Sequence, residues 1–158
     1  MRHVPFLALL PFAVALAAPV QRISSRPFHG ANAILLSAHG ETAGESLRRL
    51  AEGSRRLGYT VDSLDDDELV TAARPLAPTR YRLLASVVKR GAGPTVIMLW
   101  GRLRVTEAGG RLVERSMRWD GPRDPSPDAA CFRHAQQLAQ AFPAAQLVSI
   151  RYTKEKDW

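Results

Sequence analysis

The residues predict an α+β fold, an antiparallel sheet of about five to six strands with two helices packed on one face as a two-layer sandwich. Three observations lead there. Between Thr42 and Ala73 an amphipathic helix pattern stops at Gly58 and runs straight into a strand, a tight acidic turn and a second strand. Further segments downstream alternate as strands do, separated by turns rich in Gly and Pro. A second helix pattern follows them, and amphipathic helices and a sheet with an apolar face must cover one another.

The chain opens with Met1, Arg2 and His3, then an almost wholly apolar run from Val4 to Leu16, and Ala15-Leu16-Ala17 offers the small residues read by a signal peptidase. Residues 1–17 are therefore expected to be a signal peptide cleaved near Ala17, placing the mature chain in the periplasm or outside the cell. A membrane-anchoring helix is the alternative, but the run is shorter than the ~20 residues a span needs and contains Pro5 and Pro11. No Cys follows the run, so a lipid anchor of the usual bacterial kind is not supported. Residues 18–30, with Pro, Ser and Gly and no periodicity, read as a linker, and residues 31–158 as a single domain large enough for a core.

Composition narrows the partners. The net charge is +7, carried mostly by Arg. On an exported protein such charge meets anionic lipid or polysaccharide rather than nucleic acid. Nucleotide bias in the source genome is the competing explanation for so many Arg, Ala, Leu and Pro residues. The sole Cys, Cys131, leaves no internal disulfide, so stability must come from packing.

Thr42 and Glu45 have the spacing of a capping box, and Ala43, Leu47, Leu50, Ala51, Ser54 and Leu57 fall on one helical face. Arg55 and Arg56 suit the negative end of the helix dipole, and Gly58 suits a left-handed cap. Ala31 to Ala38 reads as a short buried strand before this helix. Tyr59 to Leu64 and Leu69 to Ala73 flank the turn Asp65-Asp66-Asp67. Pro75 and Pro78 mark a break, after which Tyr81 to Val88 and Thr95 to Val105 form a second hairpin around Gly91-Ala92-Gly93-Pro94. In the latter strand Ile97, Leu99, Leu103 and Val105 share one face and Val96, Met98, Trp100, Arg102 and Arg104 the other. Gly101 reads as a bulge where the pattern changes from apolar to basic. Arg111 to Trp119 returns as another strand. Ser126 is a good N-cap, with Pro127 at the first helical position, for a helix carrying Cys131, His134, Ala135, Leu138, Ala141 and Phe142 and ended by Pro143. Gln146 to Tyr152 reads as an edge strand or an irregular tail.

Leu57-Gly58-Tyr59-Thr60-Val61-Asp62, the acidic turn and Leu69-Val70 resemble the helix-to-strand signature of the helix-grip domains in the outer-membrane assembly lipoprotein BamC. The resemblance extends in element order over Thr42 to Trp119. It implies a helix-grip-like sandwich and a role as a protein-interaction module of the bacterial envelope. The missing lipid-attachment Cys and the single domain depart from that pattern.

No catalytic, cofactor-binding or metal-binding constellation emerges. Cys131 and His134 lie three apart on one helical face and could form a nucleophile pair or half a metal site, but both fall on the stripe expected to pack inward, with no third group identifiable. Asp65-Asp66-Asp67-Glu68 lacks the ligand alternation and Gly of a calcium loop. One surface feature remains. Arg102 and Arg104 continue the face of Met98 and Trp100, and Arg80 and Arg82 belong to the preceding strand, giving a basic rim beside an aromatic patch of the kind that dominates interfaces. The alternative is that helices or tail cover Trp100 and Met98. The expected function is a non-enzymatic envelope module that binds a protein or an anionic surface; the alternative is a small-ligand carrier with a cavity between sheet and helices.

Overall fold

The computed structural model describes residues 22–40, 42–90 and 92–155. The expected signal peptide, residues 1–17, lies outside the described residues. In chain order the elements are β1 (Ile23–Ser24), β2 (Ala33–Ala38), α1 (Ala43–Arg56), β3 (Val61–Leu64), β4 (Glu68–Thr71), β5 (Arg74–Leu76), β6 (Thr79–Lys89), β7 (Thr95–Thr106), β8 (Leu112–Ser116), α2 (Pro127–Gln140) and β9 (Leu147–Thr153).

Local chemistry starts and stops both helices. The Glu45 N–H donates to Thr42 Oγ1 at 3.3 Å, and the Thr42 N–H donates to Glu45 Oε2 at 2.8 Å, closing the capping box of α1. Gly58, with φ of +80°, takes the left-handed turn just beyond the C-cap Leu57. At α2 the Ala129 N–H donates to Ser126 Oγ at 3.2 Å and Pro127 occupies the first turn.

The strands make one open antiparallel sheet of nine strands, ordered β1-β9-β2-β7-β6-β4-β3, with β5 paired to β6 and β8 paired to β7. This exceeds the five to six strands expected. Two of the additions are too short to show periodicity. β1 lies in the segment read as linker, and β5 holds Pro75, which reads as a break but sits in a short strand that pairs β6 alone. β9 is not an edge strand: it lies between β1 and β2.

The spine of the sheet is the pairing of β6 with β7. Each changes its other neighbour halfway along. β7 pairs β2 through Thr95 to Leu99 and β8 through Arg102 to Thr106, while β6 pairs β5 near Tyr81 and β4 near Ala85. Backbone bonds from the Gly30 N–H to the Trp119 carbonyl and from the Trp119 N–H to the Ala31 carbonyl, both 2.8 Å, link the start of β2 to the chain leaving β8.

One face of this spine carries Tyr81, Leu83, Ala85, Ile97, Leu99 and Leu103, which form a single core with Ile34 and Leu36 of β2, Leu47, Leu50 and Ala51 of α1, and Phe132, Ala135 and Leu138 of α2. Phe132, absent from the expected stripe, is fully buried and its ring meets those of Trp119 and Tyr152 at 5.5 and 6.0 Å. Gly53 lets the helices meet, since a Cβ there would touch that of Ala141 at 3.6 Å.

Gly101 is not a bulge. It stands in register opposite Leu83, and the shift between β6 and β7 falls at Val87/Lys89. Its missing side chain serves packing instead: a Cβ would overlap the Cys131 sulfur and come within 3.3 Å of Leu83 and 3.4 Å of Met117. Glycine here sets how closely α2 approaches the sheet.

Gly101→Ala is therefore expected to destabilise the fold by about 1–3 kcal/mol, the usual cost of overpacking. Denaturant unfolding of the single variants and of Gly101→Ala with Cys131→Ala tests this. The double variant should regain part of the loss, and strictly additive losses would mean the two positions do not contact each other.

Candidate functional site

The strand alternation that buries Leu83 and Leu99 turns the intervening residues to the opposite face, away from the helices. In register across β6 and β7 the pairs are Arg80 with Arg104, Arg82 with Arg102, Leu84 with Trp100 and Ser86 with Met98. All six residues singled out from the sequence, Met98, Trp100, Arg102, Arg104, Arg80 and Arg82, thus share this outer face. Met98 (9% exposed) and Leu84 (7%) are nonetheless buried on this face. Trp100 is half-buried, and its indole N–H is shielded from water with no acceptor among the described residues.

The arginine rows are directly opposed, an arrangement that costs stability in an antiparallel pair. Glu114 of β8 stands opposite Arg104 and accepts hydrogen bonds of 3.3 Å from both Arg102 and Arg104. The bond from Arg104, followed by that from Arg102, holds its carboxyl below the usual range despite some opposing desolvation. One carboxylate thereby serves two arginines, with Arg82 near enough to act on it as well.

Two hollows open beside these rows. The first is a groove of about 670 Å³, lined by Leu35, Ser86, Val88, Val96, Met98, Trp100, Arg102 and Glu155. Leu35 joins through its pairing with Met98, and Asn32 fixes the backbone of Glu155 with bonds of 3.0 and 2.7 Å. The second, about 530 Å³, is polar and is lined by Arg102, Glu114, Arg115, Ser116, Arg118, Asp128 and Lys154 together with Gly30, Asn32 and Met117. Arg102 lines both. Leu35, Glu114 and the polar hollow are not legible from local sequence, because strand pairing and the chain's return through Lys154 bring them there; Leu84 and Val96 carried a signal, their alternation with Leu83 and Ile97 along β6 and β7.

Cys131 and His134 do not form a reactive pair. Cys131 is fully buried, and burial pushes its thiol well above the usual range, so no nucleophilic thiolate is held there. His134 is half-buried with its ring 5.2 Å from that of Tyr81, whose hydroxyl exchanges a 2.9 Å hydrogen bond with that of Tyr59. Desolvation, then the charges of Arg74 and Arg133, lower its pKa. Among the described residues no group of three or more His, Cys, Asp or Glu could hold a metal ion. The acidic turn is engaged structurally: Asp65 Oδ1 accepts from the N–H groups of Asp67 and Glu68, both 2.7 Å, and Asp67 pairs with Arg90.

Comparison with protein-family models and with curated proteins gives no match.

The sign of the His134 shift fixes a pH dependence. Its folded pKa lies below the ordinary 6.5, so the unfolded chain takes up the proton first and stability falls as pH drops through that value toward the folded one. Glu114 and Asp124, lowered from 4.5 and 3.8, lose their contributions only at more acid pH. Melting temperature followed from pH 7 to about 5.5 should fall in the wild type and fall less steeply in His134→Gln. Identical slopes would remove His134 as the group responsible.

Proposed function

We propose that the chain is a non-enzymatic binding module of the bacterial envelope, exported with loss of its apolar N-terminal segment, and that its outer sheet face recognises an anionic envelope component. The observation that carries this reading is the pair of opposed arginine rows, Arg80 with Arg104 and Arg82 with Arg102, sharing Glu114. An arrangement that costs stability in the free protein is relieved by an anion laid across it. The helix-to-hairpin order that resembles the helix-grip domains of BamC, and the net charge of +7, which becomes +6 when Arg2 is lost with the N-terminal segment, support it. A second reading, the small-ligand carrier, draws on the 670 Å³ groove, which falls within the ~300–1,000 Å³ of small-molecule sites. That groove lies on the outer face rather than between sheet and helices.

Cosedimentation with vesicles tests the leading reading. The chain should sediment with phosphatidylglycerol vesicles at low salt, release at high salt, and ignore phosphatidylcholine vesicles. Arg80→Gln should weaken sedimentation while raising the melting temperature by roughly 1–3 °C, because it removes one of two opposed cations. Equal sedimentation with both lipids would overturn the reading. So would its absence with both, alongside salt-resistant capture of one envelope protein that Trp100→Ala abolishes; that result would make the face a protein-interaction surface.

A further inference from the structure

The outer face changes character along the strand direction. From Val96 and Val88 the spine passes through the Ser86/Met98 and Leu84/Trp100 rows and then two rows of arginine. At about 3.4 Å per residue, the eight steps from Val96 to Arg104 span roughly 27 Å. The boundary falls between Trp100 and Arg102, and Arg102 is the residue common to the apolar groove and the polar hollow. Charge alone accounts for one half of this surface. The apolar half has no use for an inorganic anion or a sugar acid.

We propose that this face takes up one molecule of a single-chain anionic amphiphile, its acyl chain lying in the groove on Leu35, Val96, Met98 and Trp100 and its head group held by Arg102 at the mouth of the polar hollow. This rests on the reading of the outer face as a site for anionic ligands and names the ligand's class. Arg102 has capacity for the head group: a guanidinium carries five N–H donors, and its bond to Glu114 is 3.3 Å, longer than the ~2.7–2.9 Å of a strong charge-assisted pair. Its side chain is 37% exposed, so a ligand can reach it. Arg115, Arg118 and Lys154 line the hollow behind it against the carboxylates Glu114 and Asp128. Glu114 is already bonded to two arginines, and the charges of Arg115 and Arg118 act on Asp128. Glu155 lines the groove itself, where a carboxylate disfavours an anion and leaves the Arg102 side for the head group.

Native mass spectrometry and calorimetry of the mature chain, with lauroyl-lysophosphatidylglycerol kept below its aggregation concentration, test this. The probe should bind one to one, and about tenfold or more tighter than the zwitterionic lauroyl-lysophosphatidylcholine or the tail-free glycerol phosphate. Arg102→Gln should erase the preference for the anionic lysolipid. Val88→Glu, at a position already 50% exposed and so safe for folding, should weaken both lysolipids by about tenfold. Equal binding of glycerol phosphate would mean the groove is unused, and equal binding of the two lysolipids would mean Arg102 is; either overturns the inference. Sedimentation with anionic vesicles but no binding of the monomeric probe overturns it while leaving the proposed function standing, whereas failure of both removes both.

Discussion

The register of β6 on β7 fixes more of this protein than any other single feature. Opposite-facing side chains alternate with a period of two, so the alignment that sets Leu83 against Gly101 also sets Arg82 against Arg102 and Leu84 against Trp100. A slip of one residue would drive arginines into the core and leave Tyr81, Leu83 and Ala85 in water. Burial of the inner face is what prevents the slip. The like-charged rows outside are therefore imposed by the packing within: the apolar core selects the register, and the outer face takes whatever neighbours that register gives it.

The inner face solves a crowding problem with small residues. Gly101 on the sheet and Gly53 on α1 mark where α2 comes closest, against Cys131 and Ala141. Not every polar group left inside is satisfied: Thr153 Oγ1 and His134 Nδ1 are buried without a hydrogen-bond partner among the described residues. The Tyr59 and Tyr81 hydroxyls bond each other, and desolvation raises the pKa of each, keeping both protonated. Cys131 is held as a thiol by the same burial. A helix bearing Cys and His at catalytic-looking spacing is in this case a packing element, with the thiol occupying space that the glycine opens.

Elements with local signals were legible in the sequence. Thr42 with Glu45, and Ser126 with Pro127, announce both helix starts because a cap is made by residues within one turn. The two faces of β7 could be read because twelve residues repeat the alternation enough times to be unambiguous. What escaped was set by distant parts of the chain. Two- and three-residue strands such as β1 and β5 carry no period, and their pairing partners fix them. The interior place of β9 depends on β1 beyond it. Of the outer face, the six residues visible along two strands were foreseen as neighbours, while Leu35 and Glu114 arrive from strands that join β7 at opposite ends of the same edge.

A nucleotide bias would raise the number of arginines but would not decide where they stand. Elsewhere on the surface several arginines are placed beside a carboxylate: Arg90 with Asp67, Arg111 and Arg115 with Glu107, Arg118 with Asp120. Surface pairs of this kind contribute little, about 0–1 kcal/mol each, yet their recurrence shows that the chain readily supplies an acidic neighbour. Across β6 and β7 the residue opposite an arginine is instead another arginine, twice in succession, and the shared carboxylate comes from a third strand. A composition effect would scatter cations without regard to register. Opposed rows that end where an apolar groove begins form a surface with one charged and one greasy half, and a ligand that satisfied both halves together would have the same division.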